Sequence, residues 1–174
     1  FDIVELGNTT TTFRPVINGA ATVRSIEFYS SMEDTLTIGA GGSLTCGNIN
    51  GFWNQDLTHI INVGSGSLVV KGDLTLGDNT ANHIINLSLT TGTVTVSGDI
   101  VQNQGCSLVF SGSGTLVVGE DYILNNGTII PSTGTIKYNG SGAQEIAGLN
   151  YYNLVVDKVS GVAAGITSRS VIGN

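Results

Sequence analysis

Two histidines stand at matching places in a repeated phrase, where they could take part in binding a metal ion. His59 opens the run HIIN, which recurs at His83, and Cys106 stands at the corresponding place of the next repeat. Zinc needs three or four converging ligands, which these three residues could supply. Stacked positions of a repeat project in parallel, so the sequence favours a polar ladder over a metal site. Asn62 and Asn86 are predicted to hydrogen-bond from one repeat to the next.

Acidic residues recur where predicted strands end in glycine, at Asp73, Asp99 and Asp121. A column of carboxylates could bind calcium, which prefers six to eight oxygen ligands, or it could hold the carboxylate pair of a glycosidase. Aspartate is also common in turns, because its side chain bonds to its own backbone. We predict turn residues here and no catalytic site. Calcium as a cofactor and a polysaccharide hydrolase or lyase remain the alternatives.

Aromatic residues mark two further places where a ligand could bind. Trp53, the only tryptophan, lies in the segment GNINGFWNQDL, which is longer than a turn requires. Tyr151 and Tyr152 open a later strand. Because loops on rigid scaffolds often carry binding residues, these three side chains are candidate glycan contacts. The interpretation we favour for the first place is that Phe52 and Trp53 fold back over an exposed face of the coil.

Pairs of threonines could form the flat face of an ice-binding protein. They occur as Thr-x-Thr at residues 35–37, 93–95 and 133–135. In the intervening repeats, the sequence alignment puts Lys71 and Asp73 or Val117 at the corresponding places. The rank is therefore predicted to be broken, and ice binding is the least favoured of the functions considered.

The element that must position these residues is a repeat punctuated by glycine. Successive repeats place glycine 24, 26, 22 and 20 residues apart, at Gly42, Gly66, Gly92, Gly114 and Gly134. A strand-rich repeat of this length is typical of a solenoid. The sequence predicts an all-β fold, a right-handed parallel β-helix (β-solenoid) of roughly seven coils of 20–26 residues.

Short strands with strict alternation point one set of side chains inward. Three predicted columns of apolar residues per coil describe a three-sided prism. The first column is Leu44/Cys46, Leu68/Val70, Val94/Val96, Leu116/Val118 and Ile136/Tyr138; the second is Ile61/Val63, Ile85/Leu87, Leu108/Phe110 and Ile130; the third is Leu74/Leu76, Ile100 and Ile123.

Composition narrows the classes of partner. The 174 residues carry a net charge of -7 with six scattered basic residues, which argues against nucleic acid because counterion release needs clustered Lys and Arg. No apolar run approaches the roughly 18 residues that a membrane-spanning helix needs. Cys46 and Cys106 fall two to three coils apart, too far for a disulfide. We divide the chain into an N-terminal cap or joint at residues 1–20 and a repeat region at residues 21–174.

One part of the chain resembles a known family. The run GTIKYNGSGAQEIAG at residues 134–148, followed by YYNLVV at residues 151–156, is similar to a phrase of large secreted surface proteins of Bacteroidetes. Residues 36–48 and 63–76 are similar to a second type of coil in those proteins. The resemblance covers about residues 21–157. It implies a right-handed parallel β-helix in an adhesin or filament-like protein outside the cell.

The function predicted is therefore that of a structural or adhesive segment of an extracellular or cell-surface bacterial protein. Its expected partners are further coils of the same chain or identical copies end to end, and surface glycans. A glycan-binding module is the alternative from another class. The run Asp34-Thr35-Leu36 resembles the O-glycosylation motif of Bacteroidetes, so Thr35 is a candidate site of glycan attachment.

Overall fold

Three parallel sheets run along the molecule, and the chain visits them in turn. The computed structural model describes residues 2–8, 14–29, 31–158, 160 and 163–164. The predicted end of the repeat region at residues 165–174 lies outside these residues. The strands are β1 (Ile3–Leu6), β2 (Val16–Ile17), β3 (Ala20–Thr22), β4 (Ser25–Tyr29), β5 (Thr35–Ile38), β6 (Ser43–Cys46), β7 (Ile49–Phe52), β8 (Leu57–Val63), β9 (Ser67–Val70), β10 (Leu74–Leu76), β11 (His83–Leu89), β12 (Thr93–Val96), β13 (Ile100–Gln102), β14 (Ser107–Phe110), β15 (Thr115–Val118), β16 (Tyr122–Leu124), β17 (Thr128–Ile130), β18 (Thr135–Tyr138), β19 (Gln144–Glu145), β20 (Asn153–Val156) and β21 (Ala163–Ala164).

From β1 to β18, every third strand belongs to the same sheet. Sheet A has the order β1-β4-β7-β10-β13-β16, sheet B the order β2-β5-β8-β11-β14-β17, and sheet C the order β3-β6-β9-β12-β15-β18-β20. All of these neighbours pair in parallel. A chain that returns to the same sheet after two other strands winds as a solenoid, here of about six turns. The predicted all-β parallel solenoid is confirmed.

Residues 3–6, 16–17 and 20–22 take part in all three sheets. Strands β1, β2 and β3 pair in parallel with β4, β5 and β6. The described part of this segment is thus built like the turns that follow it. The described residues form strands, turns and loops. Among them there is no helix long and apolar enough to cross a membrane.

Sheet C reproduces the first predicted column. Leu44 pairs with Leu68, which pairs with Val94, and the column continues through Leu116 and Ile136. These side chains are all buried. Each turn contributes two inward residues from this sheet, so the apolar core extends without interruption along the axis.

In sheet B, the pairing of β8 with β11 differs from the predicted alignment by two residues. The prediction set Ile85 opposite Ile61, whereas Ile61 pairs with Leu87, and Ile85 pairs with His59. The cause is the spacing of the repeated phrase: Gly66 follows Asn62 by four positions, whereas Gly92 follows Asn86 by six. The corners after Val63 and Leu89 are equally long, so the two extra residues belong to strand β11. A shift of two preserves the inward and outward faces of a strand, so alternation alone could not detect it.

Two further column assignments were wrong by one residue. In β16, Tyr122 pairs with the inward Ile100, and Ile123 faces outward with 40% of its surface exposed. In β17, Ile129 pairs with Leu108, and Ile130 is 50% exposed. A slip of one residue moves a side chain to the opposite face. Because Ile129 and Ile130 are adjacent and equally apolar, the sequence pattern does not show which of them faces inward.

The two cysteines are free and buried, as predicted. Cys46 lies on β6 in sheet C, whereas Cys106 stands just before β14 in sheet B. After β18, Ile146, Ala147, Leu149 and Tyr151 are buried and belong to the apolar core.

Candidate functional site

The predicted acidic column exists, and it connects the turns of the solenoid. At the corner between sheets C and A, one side-chain oxygen per turn accepts a hydrogen bond from a backbone N–H of the next turn. We call this set the carboxylate ladder: the Oδ1 atoms of Asn48, Asp73, Asp99 and Asp121 accept from the N–H groups of Asp73, Asp99, Asp121 and Glu145 at 3.1, 3.0, 2.9 and 2.7 Å.

Glycines in front of the ladder residues make room for it. A Cβ atom added to Gly72 would collide with Oδ1 of Asn48, and one added to Gly98 would collide with Oδ1 of Asp73. The repeated Gly-Asp pair therefore has a steric reason. Glycine lets the side chain of the turn before reach the backbone of the turn that follows.

One oxygen of each aspartate in the ladder is used in the contact between turns. Oδ1 of Asp73, Asp99 and Asp121 is engaged by the next turn. A depression of about 430 Å³ lies beside Asp99, Glu120 and Asp121. Among the described residues, no group of three or more His, Cys, Asp or Glu side chains has the arrangement of a metal site. Calcium at these residues stays a prediction.

Trp53 fills a gap in the core. The inward column of sheet A contains Phe28 and Leu76, and Gly51 of β7 lies in register between them. The Trp53 ring lies where a side chain on Gly51 would be, since a Cβ there would come within 2.6 Å of its Nε1. The prediction that Phe52 and Trp53 both cover the coil holds for Trp53 only. Phe52 stacks on Tyr29 outside, with 46% of its surface exposed.

His59 lies under Trp53 and is fully buried. Its ring centroid is 5.0 Å from those of Phe28 and Trp53. Nδ1 accepts a hydrogen bond from the backbone N–H of Asp34 at 3.1 Å, while Nε2 is buried without a hydrogen bond. Burial lowers the pKa of His59, against the opposing effect of the Asp34 and Glu33 charges. The ring is therefore held neutral.

His83 is not stacked on His59, contrary to the predicted ladder. It pairs with Leu57, and its ring stacks on Trp53 with ring planes 14° apart. Cys106 approaches only the backbone carbonyl of His83, at 3.8 Å from Sγ. Among the described residues, His59, His83 and Cys106 do not form a group that could hold a metal ion. We call Phe28, Trp53, His59 and His83 the aromatic corner.

The tyrosine candidates divide between interior and surface. Tyr151 is 1% exposed, and its hydroxyl donates to the Ala147 carbonyl at 2.6 Å and lies 3.0 Å from the Tyr138 hydroxyl. Burial raises the pKa of both tyrosines. Tyr152 remains partly exposed. Of the pair, only Tyr152 has surface that a ligand could touch.

Sequence reasoning missed a buried polar network between sheets A and B. Gln102 occupies an inward position of β13, where its Nε2 donates to the carbonyls of Cys106 and Thr128 at 2.9 and 2.8 Å. Its Oε1 accepts from the Tyr122 hydroxyl at 2.5 Å. Asn103 donates to the Gly77 carbonyl at 2.9 Å and accepts from Asn125 at 3.0 Å. The sequence signal that could have revealed this network is the Gln at an inward position of the alternating run Ile-Val-Gln.

The threonines occupy two sheets. Thr35 and Thr37 lie on β5 in sheet B, whereas Thr93, Thr95 and Thr135 lie on sheet C. Sheet C carries two outward ranks over successive turns. The first is Ser43, Ser67, Thr93, Thr115 and Thr135, and the second is Thr22, Thr45, Val69, Thr95 and Val117. The ranks are uncharged up to Lys137, so the break predicted at Lys71 and Asp73 was wrong. Val117 does replace threonine in the second rank, as predicted.

Thr35, the candidate for glycan attachment, opens β5 and is partly buried. Asp34, the acidic residue of its motif, is 2% exposed and accepts a hydrogen bond from the Gly7 N–H at 2.6 Å. Attachment at Thr35 stays a prediction.

Comparison with known protein families, with curated proteins and with solved structures gives no match to this chain.

Proposed function

We propose that this protein is a rigid structural segment of an extracellular or cell-surface bacterial protein, of the adhesin or filament type. The observation that carries the proposal is the carboxylate ladder, in which the repeated acidic residues are used to stack turn on turn. Such a solenoid gains its stability from contacts between neighbouring turns. A function that requires length and stiffness makes direct use of that arrangement.

End-to-end association is the second part of the proposal. Among the described residues, sheet A ends at β16 and sheet B at β17, although sheet C continues to β20. An edge strand offers unpaired backbone groups to another chain. A head-to-tail contact between copies does not close on itself and produces fibres.

Electron microscopy and sedimentation of the purified protein test this association. We expect rods whose lengths are multiples of one unit, which is about 29 Å for six turns of about 4.8 Å. Ile129→Lys places a charge on the inward side of the edge strand β17 and should abolish the longer rods. Ile130→Lys, on the outward side of the same strand, should leave them. A protein that sediments as a monomer at every concentration would contradict end-to-end association.

A polysaccharide hydrolase or lyase, the alternative from the sequence, is not what we propose. Each aspartate of the predicted column, Asp73, Asp99 and Asp121, accepts a hydrogen bond from the next turn with its Oδ1. Of the predicted glycan contacts, Trp53 packs against the core and Tyr151 is buried. The partly exposed Tyr152 and the exposed Phe52 remain for an adhesive contact with surface glycans.

Ice binding is a second candidate, because the register of sheet C places hydroxyl and β-branched side chains in two continuous ranks. Within a rank the side chains repeat at about 4.8 Å, the spacing of neighbouring strands. The Ser67 hydroxyl donates to the Ser43 hydroxyl at 3.0 Å, so the rank is ordered along the axis. A regular uncharged array of this kind can order water into a lattice.

Partition into slowly growing ice tests the second candidate. We expect the protein to be enriched in the ice fraction and Thr95→Lys, in the middle of the second rank, to remove the enrichment. Thr75→Lys places the same charge on the outward side of sheet A and serves as the control. Equal partition of all three proteins between ice and liquid would eliminate the candidate.

A further inference from the structure

Both ring nitrogens of His83 face carboxylates. Nδ1 is 2.8 Å from Oδ2 of Asp78, and Nε2 is 3.7 Å from Oδ1 of Asp56. A neutral imidazole carries one N–H group, whereas the protonated ring carries two. Only the protonated ring can therefore present a hydrogen toward both carboxylates at once.

The two carboxylates belong to different insertions. Residues 53–56 connect β7 to β8, and residues 77–82 connect β10 to β11 one turn later. Asn82 donates from Nδ2 to Oδ2 of Asp56 at 3.0 Å, so the insertions already meet. The Trp53 ring stacks on His83 at a centroid distance of 5.1 Å. A positive charge over an aromatic face is attracted to it.

We propose that His83 is a pH-dependent clip that fastens the 53–56 insertion to the 77–82 insertion when its ring is protonated. Protonation adds the second N–H group, so that the ring can donate toward Asp78 and Asp56 together. The clip rests on the geometry of this corner and is independent of the proposed structural function.

Asp78 is suited to its part in the clip. Burial by itself would raise its pKa, but hydrogen bonds from His83 and Thr80 hold the pKa of Asp78 below its ordinary value. This carboxylate is therefore charged throughout the range in which histidine titrates.

Burial favours the neutral form of two other titratable groups near His83. It raises the pKa of Cys106, whose Sγ lies against the His83 carbonyl. It lowers the pKa of His59, whose ring also packs against Trp53. Asp56 and Asp78 are the acidic groups in ion-pair contact with His83 among the residues that the structure describes.

A double-mutant cycle between His83 and Asp56 tests the clip. His83→Gln, Asp56→Ala and the double variant are unfolded with urea at about pH 5.5 and about pH 8, on either side of the ordinary histidine pKa of about 6.5. We expect a coupling of about fivefold in the unfolding equilibrium constant at the lower pH and less than twofold at the higher pH. A coupling that does not change with pH would overturn the proposal.

Two controls separate the clip from general acid effects. A cycle between Asn82→Ala and Asp56→Ala should give the same coupling at both pH values, because an amide does not titrate. The second control is the fluorescence of Trp53, which can be measured on the wild-type protein because Trp53 is the only tryptophan in the chain. Its emission should fall as His83 is protonated, and His83→Gln should abolish the change. A wild-type emission that is flat with pH would also overturn the proposal.

Discussion

Asp99 makes both halves of the contact between turns: its N–H donates to Asp73, and its Oδ1 accepts from Asp121. Asp99→Ala leaves the Asp121 N–H without its acceptor. We expect the free energy of unfolding to fall by about 1–2 kcal/mol, the typical result of breaking one such hydrogen bond. Urea denaturation measures it.

Asp99→Asn is the matched control, because it retains an Oδ1 acceptor and removes the charge. It should lie within about 0.5 kcal/mol of the wild type. Added calcium that stabilises the wild type but not Asp99→Asn would instead favour the calcium prediction for this column.

His59 gives the protein a second dependence on pH. Because burial lowers its pKa in the folded state, the unfolded chain binds a proton at a higher pH than the folded protein does. The free energy of unfolding rises with pH wherever the unfolded state binds more protons. We expect the contribution of His59 to be complete above about pH 6.5 and to be lost progressively as the pH falls below that value.

The comparison with His59→Asn isolates this contribution, since His83 is present in both proteins. The Asn side chain offers an oxygen near the place of Nδ1 and has no titration in this range. The difference in free energy of unfolding between wild type and variant should therefore shrink as the pH falls. A difference that is constant from about pH 7 to about pH 5 would contradict a buried neutral His59.

At the scale of elements, β7 depends on a residue outside the strand. Gly51 leaves a gap in the inward column of sheet A, and Trp53 packs against the core there. Trp53→Ala should lower the free energy of unfolding by about 3 kcal/mol, in the range for large aromatic residues removed from a core. Thermal or urea denaturation detects a change of this size readily.

Phe52→Ala is the neighbouring control, because Phe52 lies outside the core and stacks on Tyr29. It should cost less than about 1 kcal/mol. Equal losses in the two variants would mean that the Trp53 ring is a surface group and that the gap at Gly51 is filled by something else.

The elements also show where sequence patterns stop being informative. Alternation identified the inward faces of β6 and β12 correctly, because each has apolar residues at every second position only. In β9 and β15 the outward Val69 and Val117 are apolar too, but Ser67 and Thr115 still mark the outward face. In β16 and β17 the outward residues Ile123 and Ile130 are as apolar as their inward neighbours. There the pattern is degenerate, and contact with the strand of the turn before decides the register.

At the scale of the whole molecule, stability should be distributed as in a one-dimensional array. A central turn packs against two neighbours, whereas the first described turn packs against one. Local opening is therefore easier at an end than in the middle. We expect amide hydrogen exchange to be slowest in β9, β12 and β15 and faster in β1 and β3, as mass spectrometry of peptides can measure.

Uniform protection along the chain would contradict that expectation. It would show that the turns unfold together as one cooperative unit, with contacts between distant turns as strong as those between neighbours. Two variants make the same comparison by hydrogen exchange. Val94→Ala truncates a core side chain in the central strand β12, and Ala21→Gly weakens β3 near the end.

The sequence by itself determined the architecture of this protein. Glycine spacing and strict alternation specify short strands, corners and inward apolar columns, and these features are local enough to be visible without coordinates. The acidic column was also visible, because the Gly-Asp pair recurs in the sequence.

The tertiary structure alone decided the register and the partners. The two extra residues after Asn86 set Leu87 opposite Ile61 and separate His83 from His59, a shift that preserves alternation and so leaves no trace in it. Trp53 entered the core because Gly51, one turn above Phe28, offers no side chain. Contacts between residues about 25 positions apart are settled by packing of one turn on the next, which no single turn records in its own sequence.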